Sequence, residues 1–173
     1  LLELQHVYYL DKDHKQAHIL EADIHYKIGN KNKALDILNA LILSNPNSFE
    51  ASSTLGYIYF NEKEYDKAYP ELLKSTQLQG NPQSYTMLAI TEEELGKKEL
   101  ALQDYERALY NNENCDFVLT RLGLLYCGNH EFGKAFVSLK KAYESSPKNP
   151  AYFLNYYEVS LVNPDKVPQE EKE

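Results

Sequence analysis

The chain has 173 residues, of which 43% are hydrophobic and 25% are charged, a composition typical of a folded globular protein. Its net charge of −8 argues against nucleic-acid binding, because contacts with phosphates need a basic surface. Its apolar runs are too short to cross a bilayer, so we expect no direct membrane insertion.

The first segments along the chain have helical spacing. Residues 1–14 place Leu4, Val7 and Tyr8 at offsets of three and four, which predicts a helix followed by a turn. Residues 15–48 then carry two helical segments separated by the polar run "GNKN", with the turn signal "NPNS" after the second. Two helices joined by a short turn form a helical hairpin.

The same arrangement recurs in the middle of the chain. Residues 49–81 place Leu55, Ile58 and Tyr59 on one helical face, break at "NEKE" and end at "GNP". Pro70 falls inside the second helix of this hairpin, where it removes a backbone hydrogen bond. We therefore expect a mild bend there.

The C-terminal part continues the pattern. Residues 82–115 and 116–149 break at "LGKK" and "GNHE", and each predicts a further hairpin. Residues 150–163 read as one more helix, which would cap the apolar edge of the last hairpin. Residues 164–173 are charged, contain proline, and are interpreted as a tail.

The hairpins share residues at fixed positions. Their second helices carry alanines spaced 34, 33 and 34 residues apart: Ala34, Ala68, Ala101 and Ala135. A small residue precedes each alanine by twelve positions: Ala22, Gly56, Ala89 and Gly123. A large apolar residue follows each by four: Leu38, Leu72, Tyr105 and Leu139. Because helices approach closely only where side chains are small, we expect Gly56 and Ala68 to meet at a helix crossing.

A period near 34 with this pattern resembles the tetratricopeptide repeat (TPR) family. The resemblance implies an all-α, right-handed α-solenoid of stacked antiparallel helix hairpins with a C-terminal capping helix. Its repeats would be residues 15–48, 49–81, 82–115 and 116–149. Residues 1–14 would then be the second helix of a truncated preceding repeat and its turn, 150–163 the capping helix and 164–173 the tail.

The resemblance also implies that the first helices line a concave groove that binds peptides or partner helices. The groove residues it predicts are Tyr26, Tyr57, Phe60, Met87, Ile90, Phe117, Arg121 and Leu124. Such an exposed apolar face would mark a binding surface with an acidic rim. The alternative is that several of these side chains pack against the next repeat. The family's dicarboxylate clamp is not expected, because its positions read Ile19, Asp23, Thr54, Gln83 and Met87.

Catalytic and cofactor motifs are absent from the sequence, so we predict neither catalytic residues nor a cofactor. The strongest metal candidate is the row His14, His18, Glu21 and His25, whose spacing places the four on one helical face. Helical spacing alone does not create tetrahedral geometry, so we interpret the histidines as packing residues and predict no metal site. Cys115 and Cys127 are too far apart on one helix to form a disulfide.

The predicted function is a non-catalytic scaffold or adaptor that binds a peptide segment or partner helix through apolar anchors. Two alternatives remain open: a secretion or envelope-assembly accessory or chaperone, and the TPR arm of a larger enzyme. The low cysteine content favours a cytoplasmic location, or a periplasmic one if a signal sequence precedes Leu1. Self-association through the N-terminal edge is a further expectation.

Overall fold

The computed structural model describes residues 15–110 and 115–162, and its regular elements in these ranges are all α-helices. The helices are α1 (Lys15–Lys27), α2 (Lys31–Ser44), α3 (Phe49–Asn61), α4 (Tyr65–Gln79), α5 (Pro82–Glu94), α6 (Lys98–Leu109), α7 (Asp116–Gly128), α8 (Phe132–Ser145) and α9 (Pro150–Val162). Within the described ranges no helix is long and apolar enough to cross a membrane. The helix predicted in residues 1–14 and the predicted tail lie outside the described residues.

The chain divides into two compact units, residues 1–95 and 96–173. In the first unit each helix from α1 to α5 contacts the next, and α1 also contacts α3, which contacts α5. In the second unit α6 contacts α7, α7 contacts α8, α8 contacts α9, and α7 also contacts α9. Consecutive helices therefore pack as hairpins, and in the first unit α1, α3 and α5 are neighbours along one surface.

The repeated sequence positions form the interior of both units. The four alanines of the second helices are fully buried, and the large residues four positions later are at most 1% exposed. The small residues of the first helices, Ala22, Gly56, Ala89 and Gly123, are buried as well. The recurring sequence pattern is therefore the pattern of the core.

Gly56 and Gly123, the glycines of the repeated small position, make room for a leucine of the paired helix. A Cβ added at Gly56 would lie 2.8 Å from Leu72 Cγ, and one added at Gly123 would lie 2.6 Å from Leu139 Cγ. The residue of the paired helix that lies nearest to Gly56 is therefore Leu72. Ala68, which we expected to meet Gly56, lies one helical turn before Leu72. A side chain at either glycine would displace a buried leucine.

One backbone conformation recurs after each of the four first helices. Among the described residues those with positive φ are Gly29 (86°), Lys63 (59°), Gly96 (73°) and His130 (61°), which keep the period of the sequence. At Lys63 the backbone N–H donates to the Phe60 carbonyl at 2.9 Å, and the next N–H, of Glu64, donates to the Tyr59 carbonyl at 2.9 Å. This left-handed residue ends the first helix and reverses the chain.

Two first helices begin with side-chain caps. The Ser48 hydroxyl accepts a hydrogen bond from the Ala51 N–H at 3.3 Å at the start of α3. At the start of α5, Asn81 and Ser84 cap each other's backbone N–H groups, and Pro82 occupies the first helical position. Such caps satisfy N–H groups that lack a partner within the helix. These caps therefore set the residues at which α3 and α5 begin.

Pro70 lies inside α4, which begins at Tyr65. A proline in a helix interior removes a hydrogen bond and costs about 3 kcal/mol relative to alanine. The buried residues Ala68, Leu72, Ser75 and Thr76 on both sides of it hold the helix in place.

Aromatic side chains attach the last helix to the second unit. Tyr156 of α9 stacks on Tyr143 of α8, with ring centroids 5.5 Å apart, and lies 5.5 Å from the ring of Phe136. Tyr156 and Val159 are the buried residues of α9, whereas Phe153 and Leu154 are about half exposed. The last helix thus covers α8 with one face and presents its other face outward.

Candidate peptide-binding groove

The inner surface of the first unit contains a groove of about 390 Å³. Three neighbouring first helices, α1, α3 and α5, supply its walls. The lining residues are Gln16, Ile19, Leu20, Asp23, Glu50, Ser53, Thr54, Tyr57 and Met87. We refer to this feature as the inner groove.

The apolar part of the inner groove consists of Ile19, Leu20, Tyr57 and Met87. Leu20 is 50% exposed and Tyr57 is 42% exposed, so both present large side chains to solvent. Tyr57 and Met87 are among the groove residues predicted from the sequence. Leu20 is not, although it follows Gln16 by four residues and so shares its helical face.

The charged groups of the inner groove are the carboxylates of Asp23 and Glu50. Asp23 accepts a hydrogen bond at 2.7 Å from the Lys27 ammonium, one turn further along α1. Glu50 lies in the first turn of α3 and accepts a hydrogen bond at 3.2 Å from the Ser48 hydroxyl. The two carboxylates therefore differ, because a lysine already compensates the charge of Asp23.

Two predicted groove residues pack against the interior of the first unit without lining the inner groove, whereas Met87 does both. Phe60 is partly buried and packs against the cluster of Ala68, Leu72 and Leu88. Its ring and the Tyr65 ring form an edge-to-face pair with centroids 6.0 Å apart. Tyr26 packs against the neighbouring cluster around Leu38. Neither of them lines the inner groove, and neither does the half-buried Ile90.

Tyr26 also belongs to an ion-pair network that joins the turns of the first two hairpins. The Tyr26 hydroxyl donates to Glu62 at 3.0 Å, and the Lys31 ammonium contacts Glu62 at 2.9 Å and Glu64 at 2.6 Å. A hydrogen bond from Lys31, and to a smaller extent one from Lys67, lowers the pKa of Glu64 to about 2. Partial burial, and then the bond to Glu62, raises the pKa of Tyr26.

The remaining predicted groove residues, Phe117, Arg121 and Leu124, lie on α7 in the second unit. Phe117 and Leu124 are 44% and 45% exposed, and Arg121 is half-buried. Their spacing of four and three residues places them on one face of α7. The predicted set therefore falls into two groups, one in each unit.

The histidine row does not form a metal centre among the residues that the structure describes. His14 lies outside them. Glu21 lies 4.0 Å from His18 Nδ1 and 3.8 Å from His25 Nε2, and the Lys33 ammonium is 4.0 Å from it. A lysine beside the only carboxylate of the row disfavours a cation, and His25 is buried as a packing residue. The absence of metal in the purified protein stays a prediction.

Both cysteines are free thiols. Burial raises the pKa of Cys127, and the negative charge of the Glu158 carboxylate raises it further. A raised pKa leaves less thiolate at neutral pH, so this thiol is not activated as a nucleophile.

Sequence profiles of the tetratricopeptide repeat match residues 8–48, 49–82 and 82–115. These matches cover more than half of the chain. The protein therefore belongs to the tetratricopeptide repeat family, and the predicted all-α helical-repeat fold is confirmed. Membership in this family supports a role as a protein-interaction scaffold.

Solved structures of TPR proteins share the fold. YrrB, described as a TPR protein with an unusual peptide-binding site, is similar with a TM-score of 0.84 and 18% identity, over 94% of this chain and 84% of that one. Pseudomonas aeruginosa pilF has a TM-score of 0.80 and 18% identity, over 95% and 76%. MamA has a TM-score of 0.72 and 23% identity, over 84% and 85%. At such identities the likeness concerns the fold alone.

A curated relative is the BBSome complex member BBS4 of Bos taurus. It is 29% identical over 125 residues, which are 72% of this chain and 24% of the relative. The chain thus spans about a quarter of that protein's length.

Proposed function

We propose that the protein is a non-catalytic scaffold that holds a peptide segment or partner helix of another protein in the inner groove. The observation that carries the proposal is the exposure of Leu20 and Tyr57 side by side with Ile19 and Met87 in a concave surface. Large apolar side chains at the centre of a cleft are the usual anchors of protein interfaces.

The energetics favour an apolar anchor on the partner. Each apolar Å² removed from water contributes about 25 cal/mol, so an aromatic or leucine side chain that fills the groove stabilises the complex by a few kcal/mol. Tyr57 is suited to this contact because a tyrosine ring provides a large area at a small cost in side-chain entropy.

A non-catalytic role is consistent with the chemistry of the lining. Its hydroxyl groups are those of Ser53, Thr54 and Tyr57, and Thr54 already donates to the Glu50 carbonyl at 2.8 Å. The lining contains no histidine, cysteine or lysine; its titratable side chains besides Tyr57 are the carboxylates of Asp23 and Glu50, and Asp23 is already paired with Lys27.

Two of the similar proteins add support by analogy. The peptide-binding site named for YrrB is a property of that protein, and membership in the BBSome complex is a property of BBS4. Both fit a chain whose role is to hold another protein, and we extend that role to this chain as part of the proposal.

Selection from a random linear peptide library tests the proposal. Peptides selected on the purified protein should bind Tyr57→Ala about 30-fold more weakly, because loss of a central anchor costs about 2 kcal/mol. The control is Tyr110→Ala, since Tyr110 is 83% exposed and outside the groove, and it should bind as the parent does. Failure to select any peptide, or equal binding by the two variants, would contradict the proposal.

A further inference from the structure

We infer that the inner groove selects a cationic partner: a segment with a large apolar side chain and a lysine or arginine two or three residues away. This inference rests on the proposed function and names Glu50 as the residue that recognises the positive charge of the partner. Its basis is the combination of an apolar groove with lining charges of a single sign.

The first step concerns the charges of the lining. Asp23 and Glu50 are the charged residues among the nine that line the groove, and both are acidic. A partner carboxylate placed there would meet like charges without a compensating lysine or arginine in the lining. Like charges that face each other across an interface weaken binding, and this excludes partners of the wrong charge.

The second step distinguishes the two carboxylates. Lys27 contacts Asp23 at 2.7 Å, so a partner cation at Asp23 would have to compete with a lysine already present. Glu50 accepts a hydrogen bond from a neutral hydroxyl, that of Ser48, and forms no ion pair among the described residues. Glu50 is therefore the carboxylate with a charge available to a partner.

The third step concerns the end of α3. The N-terminus of a helix carries a partial positive charge that would attract an anionic partner. Glu50 is the acidic residue of the first turn of α3, and it reverses the sign of the charge presented there. The same residue that stabilises the helix thus disfavours acidic segments.

The fourth step gives the spacing of the two contacts. Glu50 and Tyr57 are seven residues apart on one helix, which corresponds to about 10 Å along its axis. An extended peptide advances about 3.3 Å per residue, and a lysine side chain adds several ångströms of reach. An apolar side chain against Tyr57 and an ammonium at Glu50 therefore fit two or three residues apart.

Charge reversal at Glu50 provides the test, with a matched control in the second unit. Glu50 and Glu99 are each the second residue of their helix, α3 and α6, but Glu99 lies outside the groove. Random linear peptide libraries are selected on the parent, on Glu50→Lys and on Glu99→Lys. Circular dichroism and thermal melting confirm that both variants are folded.

The parent and Glu99→Lys should enrich peptides that combine an apolar side chain with lysine or arginine, and Glu50→Lys should lose that enrichment. Changing the basic residue of a selected peptide to glutamate should weaken its binding to the parent by about tenfold at low salt, and much less to Glu50→Lys. Neutral or acidic peptides from the parent, or an unchanged enrichment with Glu50→Lys, would overturn the inference while the groove still binds peptides. Selected peptides that bind Tyr57→Ala as well as the parent would instead contradict the proposed function itself.

Discussion

Tyr57 and Phe60 lie three residues apart on α3, but their surroundings differ. Tyr57 is 42% exposed and lines the inner groove, whereas Phe60 packs against Ala68, Leu72 and Leu88. The sequence alone predicts both as groove anchors, because both follow the helical spacing of an apolar face. Only the neighbours supplied by α4 and α5 distinguish the two.

The first prediction compares these aromatic residues by thermal and denaturant unfolding. Tyr57→Ala should change the free energy of unfolding by less than about 1 kcal/mol, as expected for an exposed side chain. Phe60→Ala should lower it by about 2 kcal/mol, which is near half of the cost for a fully buried phenylalanine. Equal losses for the two variants would mean that Tyr57 is a core residue.

The second prediction concerns the turn residue Lys63. Its φ of 59° is left-handed, a conformation that costs an L-residue about 1–2 kcal/mol and that Gly29 and Gly96 adopt at the equivalent positions. Lys63→Gly should therefore raise the free energy of unfolding by about 0.5 kcal/mol, after the entropy lost by glycine on folding is counted. The control Lys141→Gly, in the exposed interior of α8, should lower it by about 0.5–1 kcal/mol. The same sign for both variants would contradict the role of the turn.

At the scale of the helical hairpin, close packing of paired helices determines which residues are tolerated. Ala68 is fully buried, one turn before the Leu72 side chain that contacts Gly56. The third prediction is that Ala68→Leu lowers the free energy of unfolding by about 1–3 kcal/mol through overpacking. Its peptide affinity, measured where the variant is still folded, should remain that of the parent. A variant as stable as the parent would show that the hairpin is loosely packed.

The ion-pair network between the turns of the first two hairpins leads to a fourth prediction. The pKa of Glu64 is lowered from 4.5 to about 2, so its ionised form is favoured in the folded state. The resulting stabilisation is fully present above about pH 4.5 and is lost as the pH falls towards 2. The melting temperature of the parent should fall more steeply in this window than that of Glu64→Gln. Identical slopes would show that neither Lys31 nor Lys67 stabilises the ionised Glu64 in solution.

The sequence predicts the helices and their buried positions well because the core positions recur. The alanine, the small residue and the large residue of each hairpin keep fixed offsets, and all of them are buried. The turn residues Gly29, Lys63, Gly96 and His130 keep the same period, although lysine carries no signal for a left-handed conformation and histidine a weaker one than glycine. Leu20 is absent from the predicted groove set, although it lies two residues before Ala22 as Met87 lies two residues before Ala89, so the repeat alignment does carry a signal for it.

For the molecule as a whole, repetition makes the fold predictable and leaves the partner unspecified. The recurring positions are the buried ones, and profiles of the tetratricopeptide repeat match the ranges that carry three of the four copies. The inner groove is formed instead by positions that vary from one hairpin to the next, such as Leu20, Thr54 and Met87 at equivalent places. We propose that the function of this chain resides in these variable positions, whose identity does not follow from the repeat pattern.

The location of a bound peptide tests the central claim most directly. A library-selected peptide is titrated into ¹⁵N-labelled protein, and the backbone amide shifts are followed by nuclear magnetic resonance. The account predicts that the largest changes fall on α1, α3 and α5, centred on Leu20, Glu50 and Tyr57, and that Tyr57→Ala weakens them at equal peptide concentration. Changes centred instead on the outer helices α2 and α4, around the exposed Leu43 and Leu78, would contradict it.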